Sequence, residues 1–137
     1  SRYVRLTSRL LDELKESSPP EAVEALFSGV ANSMAENLAA KLGGLPFAER
    51  LARMVELLSE EGFEAEVEQS DQRLVIRELS CPYFRIGRKH PEVCTVDQAF
   101  IASALALPVE RVSCLLHGAD SCTFEVALEP PSGGIRS

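Results

Sequence analysis

Four cysteines are the residues of this sequence best suited to chemistry, and all of them lie in its last 57 residues: Cys81, Cys94, Cys114 and Cys122. Each lies near a predicted turn or the end of a predicted element. Four thiolates brought together in a reducing compartment form a site for a soft metal, meaning an iron-sulfur cluster, zinc or copper(I) rather than magnesium or calcium. The alternative is four small core side chains, because free cysteine is often buried.

The spacing of the cysteines matches no short metal-binding motif, since 12, 19 and 7 residues separate them in turn. Cys81 precedes Pro82, which has no amide hydrogen, so we expect a strand that ends with the thiol at its terminus. Cys94 comes just before a predicted helix, where Thr95 is a candidate N-cap and the first-turn amides favour a thiolate. Both positions suit metal ligands.

Cys114 and Cys122 flank a predicted hairpin turn. Because side chains alternate across a strand, the two thiols share a face only if the loop has an odd number of residues. A loop made of Gly118, Ala119 and Asp120 would satisfy that condition.

The elements that must position these thiols follow from the apolar pattern. Helical spacing predicts four helices, and alternation of apolar and polar residues predicts two hairpins. The predicted helices span residues 2–16, 20–42, 47–60 and 96–107, and the predicted hairpins pair 63–68 with 74–79 and 109–116 with 123–128. We therefore expect an α+β fold, in which an N-terminal helical arm and further helices pack on one face of a four-stranded antiparallel sheet made of two hairpins.

The domain organisation follows from the same pattern. Residues 1–18 form a predicted helical arm, residues 19–129 a cysteine-containing domain, and residues 130–137 a flexible tail rich in proline and glycine. A stripe containing Leu10 and Leu14 on the first helix fits either a dimer seam or packing onto its own domain.

The acidic composition limits the function. The chain has 137 residues with 21 acidic and 14 basic side chains and a net charge of -7, the wrong sign for gripping a phosphate backbone. No apolar run approaches the roughly 20 residues of a membrane span and no signal-peptide pattern is visible, so we expect a cytoplasmic protein. Two disulfides in a secreted domain are the rival interpretation, against which stands the long cysteine-free half. No catalytic motif stands out, and we expect no enzyme.

A string of residues in the second half resembles the C-terminal sensory domain of the iron-sulfur-dependent repressors of the Suf cluster-assembly operon. These are winged-helix regulators loosely grouped with the ArsR and DeoR families. The string runs Cys81-Pro82-Tyr83, His90-Pro91-Glu92-Val93-Cys94, Pro108-Val109-Glu110-Arg111, Gly118 and Cys122-Thr123-Phe124. The resemblance covers most of the chain, and the segment from Arg2 to Leu14 looks like the linker helix that follows the winged helix. The resemblance implies that residues 1–18 are a linker and dimerisation helix and that residues 19–129 are a sensory domain.

The resemblance implies a homodimeric transcriptional repressor with an iron-sulfur cluster, of the 4Fe-4S type, whose state sets the affinity for DNA. On that resemblance the protein contacts DNA only through an N-terminal winged-helix domain that is missing from this chain, and it contacts no membrane. Zinc is the alternative metal.

The resemblance also implies a ligand set. Three cysteines sit where the family has cysteines: Cys81, Cys94 and Cys122. The remaining family cysteine would fall near Pro108, where this chain has none. Cys114, in the following predicted strand, is therefore the expected fourth ligand, and His90 and His117 are the fallback ligands.

Two other functions remain open on the sequence. The same fold could be a regulatory domain that is stabilised by zinc or binds a small molecule. Alternatively, the cysteines could form a metal-free thiol redox switch, in which mild oxidation removes two free thiols.

Overall fold

A computed structural model describes residues 2–128 of the chain, so the predicted flexible tail at 130–137 lies outside the described residues. The helices of eight residues or more are α1 (Arg2–Ser17), α2 (Pro20–Leu42), α3 (Phe47–Glu60) and α5 (Cys94–Leu105), and a short helix α4 spans Phe84–Gly87. The strands are β1 (Glu64–Gln69), β2 (Arg73–Ser80), β3 (Glu110–Ser113) and β4 (Cys122–Ala127). Two short 3-10 helices lie at Pro91–Val93 and Leu115–His117.

Proline and glycine set the bounds of the first helices, as the sequence predicts. Pro20 opens α2 directly after Pro19, because a proline ring is already set for the first helical turn and needs no amide partner there. The loop to α3 contains Gly44 at a φ of +88°, a conformation that favours glycine. The predicted bounds of α2 and α3 are confirmed, and α1 ends one residue later than predicted.

The sheet is four-stranded and antiparallel, with the strand order β1-β2-β4-β3. Both predicted hairpins are present, and they join through the pairing of β2 with β4. Ile76 of β2 lies opposite Phe124 of β4, and both are buried in the main core together with residues of α3 and α5. The predicted α+β fold is therefore confirmed.

The second hairpin differs from the prediction in its turn. The strand predicted at 109–116 ends at Ser113, and the chain then forms the 3-10 helix Leu115–His117 before Gly118 turns at a φ of +91°. The three-residue loop predicted between Cys114 and Cys122 is therefore wrong. The local i to i+3 hydrogen bonds of the 3-10 helix replace strand pairing over this segment.

Helix α5 begins and ends two residues earlier than predicted. It begins at Cys94, and Ala106, which directly follows its last residue, adopts a left-handed φ of 58°. The end of α5 is held by Arg50 of α3, whose guanidinium donates to the carbonyl oxygens of Ala104 and Leu105. A cation at this position satisfies carbonyls that have no partner within the helix.

Helix α1 rests on a second, smaller hydrophobic cluster. Leu11 and Leu14 pack beside the buried residues Val23, Phe27 and Val96 of α2 and α5. No residue of α1 is itself buried. Among the described residues, no helix is long and apolar enough to cross a membrane.

Candidate metal centre

Cys114 and Cys122 form the centre of the candidate site. Both thiols are buried, and their Sγ atoms lie 3.7 Å apart. Cys122 is the first residue of β4 and Cys114 follows the last residue of β3, so antiparallel pairing places them at the same end of the sheet. The backbone N–H of Leu115 donates to the Sγ of Cys122 at 3.2 Å, a contact that stabilises a thiolate. Burial, followed by the neighbouring Cys114, raises the pKa of Cys122 to about 12.

Cys94 reaches the same place from the start of α5. It is half-buried, and burial followed by the nearby Cys114 raises its pKa to about 11, although Arg111 acts in the opposite direction. The expectation that first-turn amides favour a thiolate here is therefore wrong for the metal-free chain, because burial outweighs them. Thr95 does not cap the helix, since its hydroxyl donates to the carbonyl oxygen of Glu92 at 2.8 Å.

Cys81 directly follows β2, as predicted, at the same end of the sheet. It is half-buried, and burial is the largest cause that raises its pKa to about 12. A hydrogen bond from the backbone of Tyr83 lowers this pKa, while the charges of Asp97, Glu78 and Cys122 raise it further. Those interactions show that Cys81 lies near Cys122, Glu78 and Asp97.

Two buried acids lie among the cysteines, and the sequence analysis predicted neither of them as a site residue. Glu78 is fully buried on β2 directly opposite Cys122, and Asp97 is buried in the first turns of α5. Burial, followed by Asp97 and then Cys114, raises the pKa of Glu78 to about 11. Burial also raises the pKa of Asp97. The available signal was the alternation along β2, which puts residue 78 on the same inward face as Leu74 and Ile76.

The two histidines occupy different surroundings. His90 is 1% exposed, and its Nε2 lies 3.1 Å from the Oδ1 of Asp12 in α1. His117 is exposed on the 3-10 helix beside the hairpin turn. The structure therefore places the first fallback ligand against α1 and the second on the surface.

The segment 81–94 joins two of the cysteines and also holds α1. Lys89 forms an ion pair with Asp12 at 3.0 Å, next to the contact of His90 with the same carboxylate. Glu92 forms an ion pair with Lys15 at 2.9 Å. The polar attachment of α1 thus lies on the segment whose two ends are Cys81 and Cys94.

Thiol groups suit a soft metal as ligands, although these thiols do not form a preformed coordination site. Within residues 2–128, no group of three or more His, Cys, Asp or Glu side chains is arranged to hold a metal ion. The sulfur donors nevertheless lie at one end of the sheet, two of them accept backbone N–H groups, and buried carboxyl oxygens lie beside them. Binding would require the thiols to lose their protons, and a cation would supply the charge that favours that loss.

Comparison with known proteins adds no assignment. No protein-family model matches the chain, and no curated protein sequence matches it. The functional assignment of the site therefore depends on its own residues.

Proposed function

We propose that this chain is the effector-sensing and dimerisation domain of a transcriptional repressor. In this proposal an iron-sulfur cluster of the 4Fe-4S type, held by the four cysteines, controls DNA binding by a winged-helix domain outside the chain. The observation that carries the proposal is the position of the segment 81–94. Its two terminal thiols lie at the candidate metal centre, and its middle residues hold the linker helix α1.

In this proposal the four thiols supply the ligands, and they bind a cation only after they lose their protons. Buried groups with raised pKa values, such as Cys81, Cys94 and Cys122, are neutral in the metal-free chain at pH 7. A metal centre lowers the pKa of a coordinating thiol, and the thiolate is the form that coordinates. The N–H groups of Leu115 and Tyr83 that face the sulfurs then stabilise the bound form, as outer hydrogen bonds do in metal sites.

The route from the site to DNA runs through α1. When bound, a cluster would supply chemistry that responds to oxidants and iron supply. With the thiols of Cys81 and Cys94 fixed, the segment between them keeps one arrangement and holds Asp12 and Lys15 of α1. Release of the two thiols allows the segment to shift and α1 to tilt, which changes the spacing of two winged helices on an operator.

The exposed apolar side chains of the two N-terminal helices support the dimer. Leu6 and Leu10 of α1 are 54% and 61% exposed, and Leu26 and Val30 of α2 are 49% and 44% exposed. A groove of about 230 Å³ runs between the helices and is lined almost entirely by apolar groups. We expect a second copy of the chain to cover these residues, because exposed apolar patches of this kind mark interaction surfaces.

Purification without oxygen tests the metal assignment. The proposal predicts a brown chain with visible absorption and with iron and acid-labile sulfide in equal amounts, and it predicts loss of all three in Cys122→Ser. Ser80→Ala, a change on the strand next to Cys81, is the control and should keep them. One zinc per chain without colour would replace the cluster with the zinc alternative, and a chain free of both metals would contradict a metal site.

The short distance between two sulfurs favours one second candidate, the thiol redox switch. The Sγ atoms of Cys114 and Cys122 need to move from 3.7 Å to about 2.05 Å to form a disulfide. Oxidised glutathione would accept the two electrons and two protons that this bond releases. The switch predicts that the free-thiol count falls from four to two in the wild-type chain and that Cys114→Ser prevents the loss of the pair.

A further inference from the structure

Helix α1 is attached to the domain through its second half. Leu11 and Leu14 pack on the smaller hydrophobic cluster, and Asp12 and Lys15 form the ion pairs with the segment 81–94. Most of the stability of a short helix in water comes from the packing of its apolar face. The first half of α1, residues 2–10, is therefore the part of the helix that a partner surface would stabilise.

The first half of α1 carries a row of exposed apolar side chains. Tyr3, Leu6 and Leu10 are each more than half exposed. Because residues three and four positions apart are neighbours on a helix, the three lie along one side of it. This is the spacing of the anchors with which an amphipathic helix enters an apolar groove. At a rise of 1.5 Å per residue, the row from Tyr3 to Leu10 is about 10 Å long.

The groove between α1 and α2 has an apolar wall of matching length. Leu26, Val30 and Met34 line it at intervals of about one helical turn, and each is more than a third exposed. From Leu26 to Met34 the wall is about 12 Å long, so it can take the whole row of the first half of α1. The row of the same copy does not line this groove, although Leu11 does. The groove is therefore open to the row of another copy.

The first half of α1 is basic, whereas the chain as a whole is acidic. Arg2, Arg5 and Arg9 each directly precede one residue of the apolar row, and residues 2–10 contain no acidic residue. All three arginines are exposed, and within residues 2–128 none of them forms an ion pair. Cations are disfavoured at the N-terminal end of a helix, because the helix dipole is positive there. A second copy, with a net charge of -7, offers the acidic surface that favours these arginines.

Glu61 supplies a negative charge beside the groove. It borders Met34 and Tyr83, which also line the groove. Burial, followed by the charge of Glu61, raises the pKa of Tyr83. Glu61 is exposed and has no ion-pair partner in the part of the chain that the structure describes. An arginine next to the apolar row of a second copy therefore meets an unpaired carboxylate here.

We propose that residues 2–10 of one copy lie in the groove between α1 and α2 of a second copy, and that the second copy returns the same contact. The inference rests on the proposed dimerisation and specifies which surfaces meet. Its basis is the match in length and apolar character between row and groove, together with their opposite charges. The reciprocal exchange uses the same two surfaces on both copies, so it closes a two-fold dimer.

Photo-cross-linking tests the contact directly. The 137-residue chain, purified without oxygen and carrying a photoreactive benzoylphenylalanine in place of Leu6, is irradiated in a mixture with isotope-labelled wild-type chain. We expect mass spectrometry to find peptides that join position 6 of the unlabelled chain to residues 26–34 of the labelled chain. Cross-links between copies that stay within α1 would show that two α1 helices pair with each other, and they would overturn the inference.

Sedimentation at graded concentrations measures the affinity of the dimer. Leu10→Asp and Val30→Asp each put a charge between the apolar surfaces, so we expect each to weaken the dimer at least about tenfold. Asn32→Asp adds the same charge to an exposed position of α2 outside the groove, and it should leave the affinity unchanged. The three positions are exposed, so circular dichroism of each variant should match the wild-type chain. Equal affinities of Val30→Asp and Asn32→Asp would contradict the placement in the groove.

The charge pairing is tested by two further variants. Arg5→Glu and Glu61→Arg should each weaken the dimer, by a factor that shrinks at high salt because salt screens exposed charges. Glu66→Arg reverses an exposed carboxylate of β1 and is the control for Glu61→Arg. Equal affinities of Glu61→Arg and Glu66→Arg would overturn the part given to Glu61.

The outcomes separate this inference from the proposed function. A wild-type chain that stays monomeric at every concentration would overturn the dimerisation and this inference together. A dimer that keeps its affinity in both Leu10→Asp and Val30→Asp would leave the dimerisation standing and overturn the reciprocal contact.

Discussion

The protein has two hydrophobic clusters that differ in how completely they are closed. The main cluster has its most buried residues, such as Phe124, Leu105 and Ile76, at 1% exposure or less, and its thiols Cys114 and Cys122 are 4% and 6% exposed. The smaller cluster beneath α1 has five buried residues, and each of them keeps between 4% and 9% of its surface exposed: Val23, Phe27, Ala31, Val93 and Val96.

The difference indicates how the proposed sensor works. The candidate metal centre is built into the rigid cluster, where close packing resists small displacements. Helix α1 lies on the open cluster and is held by ion pairs of Asp12 and Lys15 that are partly exposed to solvent. Contacts of that kind contribute little free energy, so α1 can change its position without unfolding the domain.

The largest predicted effect comes from the main core. Phe124→Ala removes a ring that is 1% exposed and should lower the free energy of unfolding by about 3–5 kcal/mol. Phe27→Ala removes a ring of the smaller cluster that is 9% exposed and should lower the free energy of unfolding by less than Phe124→Ala does. Urea unfolding at low protein concentration measures both, and similar losses would contradict the division into a closed and an open cluster.

Substitution of Arg50 should cause the next largest loss in the free energy of unfolding. Its guanidinium donates to the carbonyl oxygens of Ala104 and Leu105 at the end of α5. Arg50→Met keeps most of the apolar stem and removes these charge-assisted bonds, so we expect a loss of about 1.5–3 kcal/mol in urea unfolding. Arg53→Met, an exposed position on the same helix, is the control and should lose less than about 1 kcal/mol.

The pH dependence of the metal-free chain tests the burial of the acid pair. Glu78 has a folded-state pKa of about 11, above its ordinary value of 4.5. The unfolded chain therefore ionises this group first, so its contribution to stability is fully present below pH 4.5 and is lost as pH rises towards 11. Between about pH 5.5 and pH 8 the wild-type chain should lose stability relative to Glu78→Gln, with a slope of at most about 1.4 kcal/mol per pH unit. Parallel pH profiles would show that Glu78 is ionised in the folded chain.

The smallest effect on global stability is expected at the attachment of α1. Asp12→Asn removes the charge that pairs with Lys89, and the contact with His90 weakens with it. We expect no measurable shift of the urea midpoint but faster amide exchange within α1. Glu13→Gln, an exposed change one residue away, should leave exchange unchanged. Equal amide exchange in Asp12→Asn and Glu13→Gln would contradict the proposal that contacts from the segment 81–94 hold α1 in place.

Local signals predicted the fold, whereas the details of the site depend on contacts that the sequence does not display. Pro19, Pro20 and the glycines after α2 define that helix by backbone sterics alone, and alternation defines both hairpins. The alternation of apolar and polar residues predicted a strand at Leu115–His117. A 3-10 helix forms there instead, and its local hydrogen bonds leave no mark on that alternation.

The raised pKa of Cys94 and the position of Glu78 depend on neighbours that are distant in sequence. The sequence shows that Cys94 lies at the start of a helix, but it does not show the packing against the main cluster that buries this thiol and raises its pKa. In the sequence, Glu78 is one of 21 acidic residues with no feature of its own. The pairing of β2 with β4 places it opposite Cys122. The same applies to Arg50, which reaches across to the end of α5.

Hydrogen exchange of the chain with its metal bound and with its metal removed tests the central claim most directly, because it reports on the site and on α1 together. The account predicts that bound metal slows amide exchange in the segment 81–94 and in α1, and leaves α3 unchanged. Equal exchange of α1 in the two states, in a chain shown to contain metal, would contradict the proposal that the cysteines control the linker helix.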